Sequence, residues 1–528
     1  MVKGVQIDFS LPEHLNLGSY YLDVNLEQGR GDKIAIYYKD GTYTFRDLSR
    51  LTDKFGNVLR ALGVEPENRV LLALEDSPEW VAAWLATMKI GAVGTHAYTY
   101  LATHDYAYLL NLIRPKVAVV DGVTLERMRE ASRQRKYPTL FLVAGDTEEL
   151  CKGEISLQAM LESADERLDV ASTHRDDPAF WNFSGGTTGK PKGVPHMHRD
   201  GVVAYESFNN VVSYTSDDIV LRVPKLFFHY ARDLGLLFPL RNGAAVVLYE
   251  GRTTAASIFN HIRKYRPTVL LNVPTMMKAM VQTPDHGRAD LSGIRVCLSS
   301  GEQLSAQLYR DWVKAFGIEV VNRFGSAESG IGYLCNRPGE VKPGSSGRVN
   351  PLVEVKLVDE VGREVANGQP GVLLVRSDAV GSHYVRENEK SRATFLGDEW
   401  INTGDVFIQD ENDYFWYVGR ANEMIKVSGV WVSPLEIEQV LQEYPSVKEC
   451  AAVAMKGEDG LMSVKAFVVL HERGVIAARM ADDLKQFCKQ RLAPHKFPQA
   501  IEFVEALPKT GAGKIDRLLM RMHASVPT

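Results

Sequence analysis

Cysteine is scarce in this sequence and widely scattered. The 528 residues hold five, Cys151, Cys297, Cys335, Cys450 and Cys488, with no Cys-x-x-Cys pair. Neither a zinc cage nor a disulfide framework is suggested, and a reducing cytoplasm fits best. The start lacks the apolar core of a signal peptide, because Met1 to Leu17 is broken by Lys3, Asp8, Pro12 and Glu13. No later run reaches membrane-spanning length without a charge; the most apolar helical stretch, Trp80 to Val93, carries Lys89 and reads as a buried helix. Excess charge of one sign is also missing: 61 Lys and Arg stand against 66 Asp and Glu, a formal net charge of −5. Nothing global therefore calls for nucleic acid or an anionic membrane as partner. Internal repeats and low-complexity tracts are absent.

What is present is a long chain with an ordinary hydrophobic share of 45%, more than one core usually serves, so two or more domains are expected. From Ile34 to Asp121 short apolar runs (Ile34 to Tyr38, Val70 to Leu74, Val117 to Val120) alternate with helical ones (Thr44 to Leu62, Pro78 to Ile90, Tyr106 to Leu112). That alternation predicts a parallel sheet with crossover helices. Between Ile219 and Phe316 the alternation returns, with a helix expected over Asp233 to Phe238, and predicts a second α/β layer. From Gly344 to about Val418 short alternating segments separated by Gly, Asn, Asp and Pro read as a small antiparallel barrel or sheet, with charged hairpin tips at Asp359 to Arg363 and Asp410 to Asp413. A last composition shift near Gly419 opens a compact α+β domain of about 110 residues. The expected fold is thus α/β: an N-terminal domain over 1–420 with two α/β layers and a small β-barrel, and a small mobile C-terminal domain over 421–528.

The stretch Ser184 to Gly193, Ser-Gly-Gly-Thr-Thr-Gly-Lys-Pro-Lys-Gly, announces a phosphate. Its glycines let backbone N–H groups approach an anion, Thr187 and Thr188 add donors, and Lys190 and Lys192 add positive charge. It is not a Walker A loop, because Pro191 stands where that motif needs a Ser or Thr for magnesium. A second Gly and Lys cluster, Pro508 to Lys514, sits on the C-terminal domain, where a loop could bring a lysine onto a bound anion and withdraw it.

Together with Phe324-Gly325-Ser326-Ala327-Glu328, Thr403-Gly404-Asp405 and Gly419-Arg420 through Gly429, these motifs resemble, in order and spacing, the adenylate-forming superfamily of acyl-CoA synthetases, adenylation domains and luciferases. The resemblance covers nearly the whole chain. It implies that Ser184, Thr187, Thr188 and Lys192 hold ATP phosphates, that Glu328 binds Mg²⁺, and that Phe324, Gly325 and the turn with Gly301 and Glu302 meet the adenine. It further implies that Asp405 and Arg420 hold the ribose. Lys514 would be the catalytic lysine of adenylate formation, stabilising charge that builds on the carboxylate and α-phosphate oxygens. Gly429 would line the pantetheine tunnel of coenzyme A, and the rotation between two half-reactions would pivot at Asn422. Two departures stand out: Ala327 replaces the usual threonine before the metal glutamate, and Asn422 the usual hinge aspartate.

Asp105 to Leu110 and Lys225-Leu226-Phe227-Phe228 resemble the benzoate and substituted-benzoate CoA ligases. Phe228, His229 and Tyr230 offer flat surfaces to an aromatic acid. His229 fits two readings, a polar group that favours an amino- or hydroxybenzoate such as anthranilate, or a gate that closes the ATP channel. Gly94 to Tyr98 departs from the family's usual version without an evident reason. The leading expectation is a cytoplasmic aryl-CoA ligase that uses ATP, Mg²⁺ and coenzyme A, with no nucleic-acid or membrane partner and a homodimer left open. The alternatives are an enzyme that loads a carrier-protein thiol and a nucleotide-binding protein without catalysis.

Overall fold

A computed structural model describes residues 1–145, 149–185, 190–427, 430–456, 462–471, 477–493, 496–509 and 515–524. It divides into two compact units. The first holds 1–184, 191–355 and 375–402; the second holds 185–190, 356–374 and 403–528.

The first unit is built on two large sheets. One has seven strands in the order Lys192–Met197, Pro178–Ser184, Val93–His96, Arg69–Ala73, Val117–Asp121, Leu140–Ala144 and Glu154–Ser156. All its pairings are parallel except the first, an antiparallel hairpin. The other has nine strands, in the order Arg348–Val349, Gly332–Cys335, Val320–Gly325, Val296–Ser299, Val269–Asn272, Ile219–Arg222, Ala245–Leu248, Ile34–Tyr38 and Gly41–Thr44. The sequence places Ile34–Tyr38 with the first alternating series, but the strand belongs to the second sheet, where it lies parallel to Ala245–Leu248 with Ile36 opposite Val246. The antiparallel turn back through Gly41–Thr44 closes that edge.

Local chemistry sets the helix starts. Thr44 and Asp47 form a reciprocal capping box, Asp47 N–H to Thr44 Oγ1 at 3.1 Å and Thr44 N–H to Asp47 Oδ2 at 3.0 Å. Ser77 caps the helix Pro78–Lys89, whose first residue is the proline that position tolerates. That helix is buried along nearly its whole length, as its sequence predicts, and Lys89 is buried with it because its ammonium meets Asp23 at 2.6 Å and Asp53 at 2.9 Å. The helix expected from Asp233 starts earlier, at His229, and runs to Arg241 with a π-helical turn over Asp233–Leu237 in its middle. Such turns are uncommon and concentrate near functional sites.

In the second unit, Asp405 lies opposite Arg420 in an antiparallel hairpin turned at Asp410 to Asp413. A three-stranded sheet of Val447–Lys456, Met462–Leu470 and Ala500–Phe503 carries an apolar core with the helices Pro434–Gln442 and Ala477–Lys489. Among the described residues no helix is long and apolar enough to cross a membrane.

Candidate active site

The two arms of the glycine loop are held in register by the sheet. Ser184 ends one strand and Lys192 begins the next, and they are cross-strand partners in the hairpin of the seven-stranded sheet. Thr187 and Thr188 lie outside the described residues.

Glu328 comes to this hairpin from the segment after Val320–Gly325. Its Oε1 accepts a 2.6 Å hydrogen bond from the Tyr384 hydroxyl, and the Ser184 hydroxyl donates to the same carboxyl. Lys192 Nζ lies 3.8 Å from the centre of the Tyr384 ring. Burial pushes the Glu328 carboxyl up, but the Ser184 and Tyr384 hydrogen bonds and the Lys192 charge outweigh it and hold the group below its ordinary range. The carboxylate therefore stays ionised at neutral pH. Tyr384 is shifted the other way: burial first, then the Glu328 charge, keeps its phenol protonated and available as a donor. Tyr384 is itself fixed through its backbone N–H, 3.0 Å from Ser391 Oγ, and by an edge contact with Phe395 at 5.3 Å. No sequence motif marks Tyr384, and the only signal was its aromatic ring among small and polar neighbours.

Phe324 and Gly325 close the strand Val320–Gly325, with Phe324 tilted toward Tyr333 at 5.8 Å. Gly301 adopts φ +87°, a left-handed turn that suits glycine, and the adjacent Glu302 caps the backbone of Thr275 at 3.3 Å.

The three aromatic positions after Phe227 do not make one surface. Phe228 is 48% exposed, its ring 6.5 Å from Tyr98, while Tyr230 is buried with its hydroxyl 3.5 Å from the Asn272 carbonyl. Phe227 packs against both Phe228 and Tyr98, each at 4.6 Å. Phe228 is the extended N-cap and Tyr230 the second residue of the helix His229–Arg232, so the two do not share a helical face. His229 is partly exposed.

Beneath this turn lies a group of residues that sequence patterns did not single out. Arg232 is fully buried, its guanidinium 4.6 Å from the Trp84 ring and 4.7 Å from Phe180. Its Nε and Nη2 reach both oxygens of Asp233, at 2.7 and 3.1 Å, and Nη2 donates to Asn182 Oδ1 at 3.0 Å. His96, from the Gly94 to Tyr98 stretch, is buried against Trp84 and Phe183. Burial, then the charges of Arg232 and His229, holds its imidazole well below the ordinary histidine range, so the ring is neutral. Arg232 Nη1, His96 Nδ1, Asn182 Nδ2 and Trp84 Nε1 are buried without a partner among the described residues.

In the second unit Asp405 is 2% exposed, and its Oδ1 meets Arg420 Nε at 3.1 Å. Arg420 Nη1 also donates to the Thr403 carbonyl at 2.9 Å. Tyr417 bonds the same carboxyl, and burial together with the Asp405 charge raises its phenol far above the usual range. Asn422 is exposed just beyond this hairpin. Lys514 and Gly429 lie outside the described residues.

A half-buried, ionised carboxylate beside a lysine and two hydroxyl donors, next to the arms of a glycine loop, suits a hard cation and the phosphates that bring it. Known proteins share the whole frame. Residues 23–385 match the AMP-binding enzyme family and residues 436–514 the AMP-binding enzyme C-terminal domain. A benzoate–CoA ligase of Thauera aromatica is 36% identical across 97% of this chain and 96% of its own length. A 4-hydroxybenzoate–CoA/benzoate–CoA ligase of Rhodopseudomonas palustris is also 36% identical, over 95% of this chain and 93% of its own. Among solved structures, an anthranilate CoA ligase in complex with anthranoyl-AMP superposes with a TM-score of 0.90 at 35% identity, covering 97% of this chain and 98% of that one. With the glycine-loop hairpin, Glu328 and the two matched segments in place, the chain belongs to the AMP-binding enzyme family.

Proposed function

We propose that this chain is an AMP-forming aryl-CoA ligase. A carboxylate oxygen of benzoate or a ring-substituted benzoate attacks the ATP α-phosphorus, the bond to the β-phosphate oxygen breaks and pyrophosphate leaves. The thiolate of coenzyme A then attacks the aryl carbonyl and AMP departs. The observation that supports the choice of acid is the likeness, along nearly the whole chain, to ligases of benzoate and hydroxybenzoate.

Each proposed role follows from the chemistry of its group. Ser184 and Lys192, with Thr187 and Thr188, bind the phosphates. Glu328 suits Mg²⁺, whose usual protein share is one or two carboxylates with phosphate oxygens completing the shell. When bound, that ion neutralises charge on the departing pyrophosphate. Phe324, Gly325, Gly301 and Glu302 border the base, and Asp405 with Arg420 takes the ribose hydroxyls. Lys514 steadies the charge of the first step, and Gly429 leaves room for the thiol of the second. The small domain, from 421 to 528, turns about Asn422 between them. Phe228 and Tyr230 bound the ring from different sides, with His229 between. An amino or hydroxyl group on the ring would meet His229. The five cysteines are all free thiols, in keeping with a cytoplasmic location.

The test is incubation with ATP, Mg²⁺, coenzyme A and a mixture of benzoate, anthranilate, hydroxybenzoates, cinnamates and medium-chain fatty acids, read by mass spectrometry with and without coenzyme A. One aryl-CoA supports the ligase and names its acid. An aryl adenylate that persists with coenzyme A present replaces it with a carrier-protein thiol, and no adenylate at all refutes the reading.

A further inference from the structure

The hairpin strand that begins at Lys192 also carries His196, four residues inward and completely buried. Its ring stacks on Phe180, centroids 5.2 Å apart and planes 16° from parallel. Nε2 lies 2.8 Å from the carbonyl oxygen of Ala327, and Nδ1 lies 3.0 Å from Asp200 Oδ2. A carbonyl only accepts, so Nε2 bears a hydrogen. The Nδ1 contact with Asp200 Oδ2 holds the ring in that orientation. Asp200 is fixed in turn at the start of the helix His198–Val212, where Oδ2 accepts the Met197 N–H at 3.1 Å.

Ala327 is the residue before Glu328. The next carbonyl, that of Glu328, accepts the Gly381 N–H at 2.9 Å, so the backbone on both sides of this side chain's attachment is pinned. Gly330 completes the wrap: it has φ +61°, and a Cβ there would stand 2.8 Å from His196 Cε1. The segment 327–330 is thus moulded on the imidazole. The contact uses a backbone oxygen, so it is indifferent to the replacement of threonine by Ala327.

We propose that His196, oriented by Asp200, is a positioning residue for adenylate formation: it locks the backbone of Glu328 to the strand that carries Lys192, and so fixes the carboxylate against Ser184 and Lys192. The assignment rests on the reading of Glu328 as the group that faces Mg²⁺ and phosphate. Because Lys192 and His196 share one strand, the phosphate-binding hairpin and the Glu328 segment move as one body.

The test compares His196→Leu, which removes both ring donors, with His196→Gln, whose amide can still donate to the Ala327 carbonyl. Pyrophosphate release is split into kcat and the KM for the acid, thioester formation is followed from a supplied aryl adenylate, and MgATP binding is titrated calorimetrically. His196→Leu should lower kcat for adenylate formation roughly 10- to 100-fold, the scale of a misplaced reacting group, with KM for the acid and the second half-reaction nearly unchanged. MgATP affinity should fall about tenfold, and His196→Gln should recover most of both losses. A folded His196→Leu with wild-type kcat, equal impairment in Leu and Gln, or equal loss in both half-reactions overturns the proposal. If the leucine variant fails to fold, His196→Phe, which keeps the stack on Phe180 but lacks both ring donors, is combined with Glu328→Gln: a loss of MgATP affinity no larger than that of Glu328→Gln alone supports the shared role, and an additive loss refutes it. The MgATP titration needs no acid. A wild-type protein that binds MgATP and adenylates nothing therefore refutes the aryl-acid reading, while the effect of His196 on that binding still decides the positioning role.

Discussion

Replacing Tyr384 by Phe removes one oxygen from the site and leaves its packing in place. The phenyl face over which Lys192 Nζ lies at 3.8 Å survives, and so does the contact with Phe395. What is lost is the 2.6 Å hydrogen bond to Glu328 Oε1. A hydrogen bond to a charged acceptor contributes about 1.5–3 kcal/mol, all of it to the ionised form of the carboxyl. Ser184 still donates to the carboxyl, which favours the lower end. The sign follows from the balance at Glu328: burial raises its pKa and the hydrogen bonds lower it, so losing one lets it climb. In the role proposed for Glu328 adenylate formation uses the carboxylate, and the acid limb of its kcat profile should therefore move to higher pH. Pyrophosphate release measured on both proteins from about pH 3.5, below the ordinary glutamate range, up to about pH 9 reads this directly. A rate lowered evenly at every pH, with the acid limb unmoved, would refute the claim that Tyr384 sets the ionisation of Glu328.

Asp405→Asn should raise the KM for ATP about tenfold and bring 2′-deoxy-ATP closer to ATP as a substrate, because the ribose hydroxyls lose their carboxylate acceptor; unchanged discrimination between the two nucleotides would remove Asp405 from the ribose. Lys514→Ala should impair adenylate formation far more than thioester formation from a supplied aryl adenylate, and Gly429→Leu should do the reverse; equal loss in both steps would sink either assignment. Lys225 donates to the Tyr249 carbonyl at 2.6 Å, and burial pushes its amine down to about 8. The unfolded chain binds more protons above that value, so stability should rise with pH from about 8 to about 10.4, by roughly 3 kcal/mol. Urea melts at those two pH values should show the rise in the wild type minus Lys225→Met difference, and a difference independent of pH would refute it.

The parts of the site that sequence reveals are those whose chemistry is local. Ser184 to Gly193 declares phosphate binding within ten consecutive residues, because backbone donors, hydroxyls and lysines must sit on one short loop to surround one anion. Elements with a local period were legible for the same reason: the helix Phe45–Ala61 and its capping box need only neighbours three and four positions away. Partnerships across the chain leave no such trace. Tyr384 meets Glu328 from 56 positions away and His196 meets Ala327 from 131, so neither role has a spacing to be read.

The strand Ile34–Tyr38 and the arginine Arg232 show two further ways in which local pattern falls short. An apolar run of five looks the same whichever sheet receives it. Its place beside Ala245–Leu248 is decided by a parallel pairing across some two hundred residues, which composition does not record. Arg232 falls just before the helix expected from Asp233, and nothing in the sequence marks it as buried; it is taken inside with its charge met by Asp233 through a bidentate contact. A charged pair adjacent in sequence can thus be carried into an interior that either residue alone would not enter, and the cost of that burial is repaid only if its remaining donors find use. The Nη1 of Arg232, like Asn182 Nδ2 and His96 Nδ1, is buried without a partner among the described residues, and an ordered water there would lower the energy of the folded protein.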